Sequence, residues 1–143
     1  MSLSKSTLRR ANRVIEIAKA LKPAKETGRT FHVTAIYRKN QLVSIGCNSY
    51  NKPHRESKFG KYKATRMGGK YFAGLHSEID AILKSGLDNF SEHTFINVRI
   101  GNDGNPCIAK PCANCATLLE TQLKPRCVLY TNSVGAIETL NPN

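Results

Sequence analysis

Apolar residues recur at three- and four-residue intervals in three stretches of the chain, which is the spacing of one face of an α-helix. The first stretch, residues 5–21, predicts an amphipathic helix that ends at Pro23 and Gly28. The apolar stripe of this helix consists of Leu8, Ala11, Ile15, Ala18 and Leu21. The other two stretches predict helices over residues 75–85 and 112–123.

Short runs rich in β-branched and aromatic residues predict strands between these helices. Residues 31–37 and 41–47 predict a hairpin, and residues 95–100 and 127–131 predict two further strands. Residues 133–138 predict a short final helix. Because helices and strands alternate in the second half of the chain, we expect an α/β domain with at least one parallel strand pair.

Length and composition are those of an ordinary globular domain. The 143 residues suffice for a single domain with its own core, spanning residues 1–143. The chain is 40% hydrophobic and 22% charged, which argues against disorder. No apolar run approaches the roughly 18 residues of a membrane span, and the N-terminus lacks a signal-peptide pattern. We therefore expect a cytoplasmic protein with no membrane association.

The formal net charge of +12 is concentrated in two segments. Residues 1–29, which contain the basic N-terminal helix, carry eight Lys and Arg against two Glu, and residues 51–70 carry seven against one. A solvated surface is the ordinary explanation for such charge, and a polyanion site is the functional one. The second segment lies in a long irregular loop, residues 48–74, which we expect near the active site because loops of that length are usually functional.

Two short motifs carry the candidate chemistry. His76 and Glu78, separated by Ser77, lie at the start of the second predicted helix, and a Cys-x-x-Cys pair opens the third. One imidazole and two thiolates suit a catalytic Zn²⁺ and leave a fourth position open, so we predict His76, Cys112 and Cys115 as ligands. Glu78 is then a candidate proton shuttle rather than a fourth ligand.

The five cysteines allow other assignments, although they fit metal ligands or buried thiols better than a disulfide framework. Cys112 and Cys115 alone are also compatible with a redox pair or with half of a structural zinc site. Cys107, five residues before the pair, is an alternative ligand. Cys47 and Cys127 lie in apolar runs and are predicted to be core thiols.

His-x-Glu followed by Pro-Cys-x-x-Cys is a signature of zinc deaminases. Around it, residues 30–135 resemble the cytidine deaminase superfamily in its CMP/dCMP-type zinc-binding branch, and residues 48–54 resemble a phage and bacterial subgroup labelled dCMP deaminases. The resemblance implies a three-layer α/β/α domain with a central mixed sheet and hydrolytic conversion of cytosine to uracil. It also implies that Asn48 contacts the substrate. The backbone N–H groups of Ser77 and Cys112 are candidates to stabilise the developing oxygen charge.

The substrate class stays open between a polymer and a free nucleotide. The two basic segments hold more cations than one mononucleotide needs, and aromatic residues alternate with cations in the long loop, which suits base stacking in single-stranded nucleic acid. The predicted loop contacts are Lys58, Lys61, Tyr62, Lys63 and Arg66. We narrowly favour cytosine in single-stranded DNA or RNA, with free dCMP or CMP as the alternative. Adenine deamination and a non-catalytic zinc module are less favoured, and the resemblance is compatible with a homo-oligomer.

Overall fold

A computed structural model describes residues 3–25, 31–48, 76–111 and 113–140 of the protein. Its elements are, in chain order, α1 (Lys5–Lys25), β1 (Phe31–Arg38), β2 (Gln41–Cys47), α2 (Ser77–Ser85), β3 (His93–Ile100), β4 (Pro106–Cys107), α3 (Ala113–Leu118), a π-helical segment (Leu119–Leu123), β5 (Cys127–Thr131) and β6 (Ile137–Thr139). Of the helices in these ranges, none combines the length and the apolar character that crossing a bilayer requires.

The strands form one mixed sheet with helices on both faces. Five strands follow the order β2-β1-β3-β5-β6, and β4 pairs with β3 beside this path. β1 is antiparallel to both β2 and β3, whereas β3 and β5 are parallel. α1 packs against one face of the sheet, and α2 and α3 pack against the other. The predicted three-layer α/β/α architecture with a central mixed sheet is therefore confirmed.

The core between α1 and the sheet follows the alternation of β1. Its strand residues include Phe31, Val33, Ala35, Tyr37, Val98 and Leu129. On α1, Leu8 was predicted to be part of the apolar stripe but is 40% exposed, while Val14, which the predicted stripe omits, is fully buried. The helix also continues through Pro23 to Lys25, because the φ angle of proline is compatible with a helix and only one backbone hydrogen bond is lost near its end.

The core on the other face lies between the sheet, α2 and α3. Its members include Ile36, Ile79, Ile82, Phe90, Phe95, Leu118, Leu119 and Val128. α2 ends as its glycine predicts, because Gly86 adopts a left-handed conformation with φ of 69°. Two polar residues, Thr34 of β1 and Asn97 of β3, are completely or almost completely buried and form directly opposed partners in the sheet. Buried polar groups in apolar strands require hydrogen-bond partners, and these two find theirs at the candidate site.

The C-terminal helix predicted for residues 133–138 is wrong. Residues 133–136 form a turn, and β6 then pairs antiparallel with β5. The side-chain Oδ1 of Asn132 accepts the N–H groups of Val134 and Ala136 at 3.0 and 2.9 Å, and Gly135 has a φ of 81°. These local hydrogen bonds and the left-handed glycine fix a turn and exclude a helix.

The helix predicted for residues 112–123 changes character halfway. α3 ends at Leu118, and the following π-helical segment ends at Leu123. The next residue, Lys124, donates its N–H to the carbonyl of Leu119 at 2.7 Å. Leu118, Leu119 and Leu123 are all buried in this arrangement, so apolar contacts with the sheet accompany the wider helical turn.

His93, at the start of β3, predicts a pH dependence of stability. Burial, together with the positive charge of Arg38, lowers the pKa of His93, and the nearby Glu92 opposes the shift. The unfolded chain therefore takes up this proton at a higher pH than the folded one, so stability is lost as pH falls from about 6.5 through the lowered pKa. We expect the free energy of unfolding in urea to decrease between pH 7.5 and pH 5, and His93→Phe to reduce that decrease. An unchanged pH profile in the variant would contradict this assignment.

Candidate metal centre

The start of α2 presents His76 and Glu78 to the same side of the molecule. His76 precedes the helix in an extended conformation, with φ −75° and ψ 149°, and its carbonyl accepts the N–H of Asp80 at 3.0 Å. Glu78 lies in the first turn of the helix and is only 7% exposed. His76 therefore lies just outside the helix and Glu78 within it, and their ligand atoms lie within 4.8 Å of each other.

Close packing against β2 fixes the position of α2. A Cβ atom added at Gly46 of β2 would lie 2.5 Å from the carbonyl oxygen of Ser77 and 2.8 Å from the Cα of Ala81, so only glycine fits there. The carboxylate of Asp80 accepts the backbone N–H of Cys47 at 2.9 Å, and the hydroxyl of Ser44 donates to the Ala81 carbonyl at 2.8 Å. Close packing and two hydrogen bonds between side chains and backbone therefore hold the motif in place against the sheet.

α3 brings Cys115 to the motif. The Sγ of Cys115 lies 3.4 Å from the Nδ1 of His76, and one ligand atom from each of His76, Glu78 and Cys115 lies within 4.8 Å of the others. Among the described residues, this is the cluster of His, Cys and carboxylate groups that can hold a metal ion. Imidazole nitrogen and thiolate sulfur are preferred zinc ligands, so the donor set fits Zn²⁺. Cys112, the third predicted ligand, lies outside the described residues.

Hydrogen bonds hold the carboxylate of Glu78 on the side of the sheet. The amide Nδ2 of Asn97 donates to Glu78 Oε2 at 3.0 Å, and the hydroxyl of Ser77 lies 3.3 Å from Glu78 Oε1. The hydroxyl of Thr34 donates to Asn97 Oδ1 at 2.8 Å and also lies 2.8 Å from the Ser77 hydroxyl. Glu78 is therefore part of a buried polar network that includes two strand residues.

Thr34 and Asn97 were not predicted from the sequence to be residues of the site. Asn97 offered a signal, because asparagine is unfavourable within strands and this one interrupts the apolar run of residues 95–100. Its partner across the sheet, Thr34, is a favourable strand residue, and spacing along the chain gives no indication of their contact.

The predicted substrate residues fall into two groups. Asn48, directly after β2, accepts the N–H of His32 at its side-chain Oδ1 at 2.9 Å, which anchors it to β1. Ser77 is buried, with its hydroxyl directed towards Thr34 and Glu78. The remaining predicted contacts lie outside the described residues: Lys58, Lys61, Tyr62, Lys63 and Arg66.

The basic helix α1 lies on the opposite face of the sheet from the cluster. Its buried side packs on the core between α1 and the sheet, called here the α1-side core, whereas Glu78 contacts Asn97, which points to the other face. The exposed cations Lys5, Arg9 and Arg13 follow one another at four-residue intervals on the solvent side of α1. The described part of the first basic segment therefore does not line the candidate centre.

The other described cysteines stand apart from the metal cluster. Cys47 and Cys127 are half-buried and pack against the α1-side core, as predicted. Burial raises the pKa of the Cys127 thiol, as expected for a thiol that packs rather than reacts. Cys107 lies in β4, which pairs with β3, and its carbonyl accepts a hydrogen bond from the hydroxyl of Thr131. Cys107 is not part of the cluster that joins His76, Glu78 and Cys115.

Comparison with solved structures identifies the fold. No protein-family model matches the chain, and no curated protein matches it either. A cytidine deaminase from Burkholderia pseudomallei superposes with a TM-score of 0.56 at 20% identity, covering 90% of each chain. A cytidine deaminase from Mycobacterium leprae superposes with a TM-score of 0.51 at 16% identity, covering 90% of this chain and 94% of the other. The chain thus has the fold of these cytidine deaminases, with its candidate metal centre between α2 and α3.

Proposed function

We propose that the protein is a zinc-dependent hydrolytic deaminase that converts cytosine to uracil in a cytidine-type substrate. The observation that carries this proposal is the cluster of His76, Glu78 and Cys115, whose ligand atoms lie within 4.8 Å of one another. The cluster lies in a fold shared with two proteins named cytidine deaminases. The CMP/dCMP-type branch inferred from the sequence forms part of the same proposal.

His76 and Cys115 would hold the ion, with Cys112 as the third ligand on the strength of its spacing from Cys115. When bound, zinc supplies Lewis-acid activation of water at neutral pH. Thiolates at the start of a helix are stabilised by its dipole, which favours Cys112 and Cys115 in the form that binds metal.

Glu78 would transfer protons. Its carboxylate accepts a proton from the attacking water and donates it to the ring nitrogen next to C4 of cytosine. A second transfer protonates the departing amine, so that water and cytosine give uracil and ammonia. Burial of Glu78 beside the ligand atoms supports this role, because a purely structural zinc site does not need such a carboxylate.

For the substrate, we propose a free cytidine nucleoside or nucleotide as the first candidate. The polymer was favoured because two segments are rich in cations. The cations of one of them, α1, lie on the face of the sheet away from the centre. The names of the two structural neighbours also favour a small substrate. Single-stranded nucleic acid remains a second candidate because of the seven basic residues in segment 51–70.

Ammonia release from cytidine, dCMP and a cytosine-containing oligonucleotide distinguishes these candidates. We expect turnover of cytidine or dCMP and weak binding of the oligonucleotide that depends little on salt. Absence of turnover on all three substrates by zinc-loaded protein would contradict the deaminase proposal.

A polymer substrate would give a different result. Four phosphate contacts would give a slope of about −3 for log affinity against log salt, at about 0.7 per contact on a single strand. Neutralising the cations Lys58, Lys61, Lys63 and Arg66 would flatten that slope. The matched control neutralises Lys5, Arg9 and Arg13 of α1, which should leave turnover of the small substrate unchanged. A steep slope that only the loop variant flattens would make single-stranded nucleic acid the substrate.

A further inference from the structure

We propose that Asn97 is a positioning residue that holds the carboxylate of Glu78 away from the metal, so that Glu78 transfers protons instead of becoming a ligand. The inference rests on the proposed function and assigns a role to a strand residue outside both sequence motifs. Its basis is the network of Glu78, Asn97, Thr34 and Ser77, in which each member is at least nine-tenths buried.

The need for such a residue follows from the position of Glu78. A carboxylate oxygen of Glu78 lies within 4.8 Å of both a ring nitrogen of His76 and the Sγ of Cys115. Carboxylates are themselves zinc ligands, so an unrestrained Glu78 would compete for the open position at the ion. The side-chain amide of Asn97, on β3, provides a restraint, because its Nδ2 donates to Glu78 Oε2 at 3.0 Å.

The donors of the network can be assigned by counting protons. The hydroxyl proton of Thr34 is donated to Asn97 Oδ1, so in the 2.8 Å contact between the hydroxyls Ser77 is the donor and Thr34 the acceptor. With its oxygen accepting from Thr34, the amide of Asn97 must direct its N–H₂ towards Glu78. The hydroxyl of Ser77 has one proton for two acceptors, and its contact with Glu78 is the longer at 3.3 Å. Asn97 is therefore the principal donor in the network to Glu78.

Strand pairing on both sides holds Asn97 in place. It lies in β3, which pairs with β1 on one side and with β5 on the other, opposite Thr34 and Tyr130. Its neighbours Ile96 and Val98 are buried in the α1-side core. Because β3 is paired on both sides, the side chain of Asn97 can orient the carboxylate of Glu78, which lies in the first turn of α2.

The test uses Co²⁺ as a spectroscopic probe in the full-length protein. Asn97→Leu removes the donor and keeps the number and branching of the side-chain heavy atoms, and Asn97→Ala serves as a second variant that cannot clash. We expect the visible absorption of bound Co²⁺ to change in both variants while the metal binds no more weakly than in the wild type. The change should be absent when Glu78→Gln is added, because the competing carboxylate is then gone. Thr131→Val is the control, since it removes a buried hydroxyl that donates to the Cys107 carbonyl.

Kinetics give the second readout. We expect Asn97→Leu to lower kcat by roughly 10–100-fold with little effect on KM, as is typical when a residue that orients catalytic groups is lost. In the Glu78→Gln background the same substitution should cause no further loss. An unchanged Co²⁺ spectrum, or a loss that adds to that of Glu78→Gln, would overturn the role of Asn97. Should the wild type deaminate no substrate, the proposed function fails, while the Co²⁺ spectra still decide whether Asn97 controls the carboxylate.

Discussion

Replacing Glu78 with glutamine is expected to lower deamination by roughly 10²–10⁴-fold, which is the usual contribution of a positioned general acid–base group. Glutamine has the shape of glutamate but cannot accept and return a proton at neutral pH. The ligand atoms of His76 and Cys115 are untouched by the change, so the variant should bind zinc as fully as the wild type. Ammonia release and zinc content, measured on the same preparation, check both expectations.

The matched control for this prediction is Glu120→Gln, which makes the same chemical change at an exposed carboxylate of the π-helical segment. We expect the control to retain activity and zinc. Turnover near the wild-type level in Glu78→Gln with zinc bound would show that another group transfers the proton. Loss of zinc in Glu78→Gln would instead show that Glu78 is a ligand.

The second large effect is expected from Gly46→Ala, a change of one methyl group outside the metal cluster. The added Cβ would overlap the backbone of Ser77 and Ala81, which cannot turn aside as a flexible side chain can. Either β2 or α2 must move, and α2 carries Glu78. We expect unfolding free energy to decrease by about 3 kcal/mol, the upper end of the range for overpacking. Activity should fall with it, and urea denaturation and turnover measure the two effects.

Gly101→Ala is the matched control for Gly46→Ala. A Cβ at Gly101 would meet its nearest neighbour, the exposed side chain of Asp103, at 3.2 Å. Neither glycine has a φ in the left-handed region, so the comparison isolates crowding from backbone strain. Equal stability of the two variants would contradict the tight fit between β2 and α2.

Much of the fold could be predicted from the sequence because its strands are short apolar runs bounded by turns. The hairpin of β1 and β2 followed from this pattern. The parallel pair of β3 and β5 agrees with the parallel pairing expected from the alternation of helices and strands in the second half of the chain. The prediction failed for residues 133–138, where strand pairing and the side chain of Asn132 outweighed a weak helical pattern. The left-handed backbone conformation of Lys124, after the π-helical segment, could not be predicted either, because lysine rarely adopts it.

The candidate site was predictable where its residues are close in sequence. The spacing of the two motifs identified His76, Glu78 and Cys115, which α2 and α3 bring together. Asn97 was not predicted to belong to the site because its contact with Glu78 depends on the position of β3 relative to α2. The requirement for glycine at position 46 was not predicted for the same reason, since only the packed structure shows that it lies against the backbone of α2.

The proposed metal centre consists of His76, Cys112 and Cys115, which would hold one zinc ion beside Glu78. Its most direct test is the zinc content of purified protein by elemental analysis, for the wild type, Cys115→Ala and Cys107→Ala. We expect about one zinc per chain in the wild type and in Cys107→Ala, and almost none in Cys115→Ala, because three protein ligands are the usual set of a catalytic site. Full zinc in Cys115→Ala, or its loss in Cys107→Ala, would contradict the proposed metal centre.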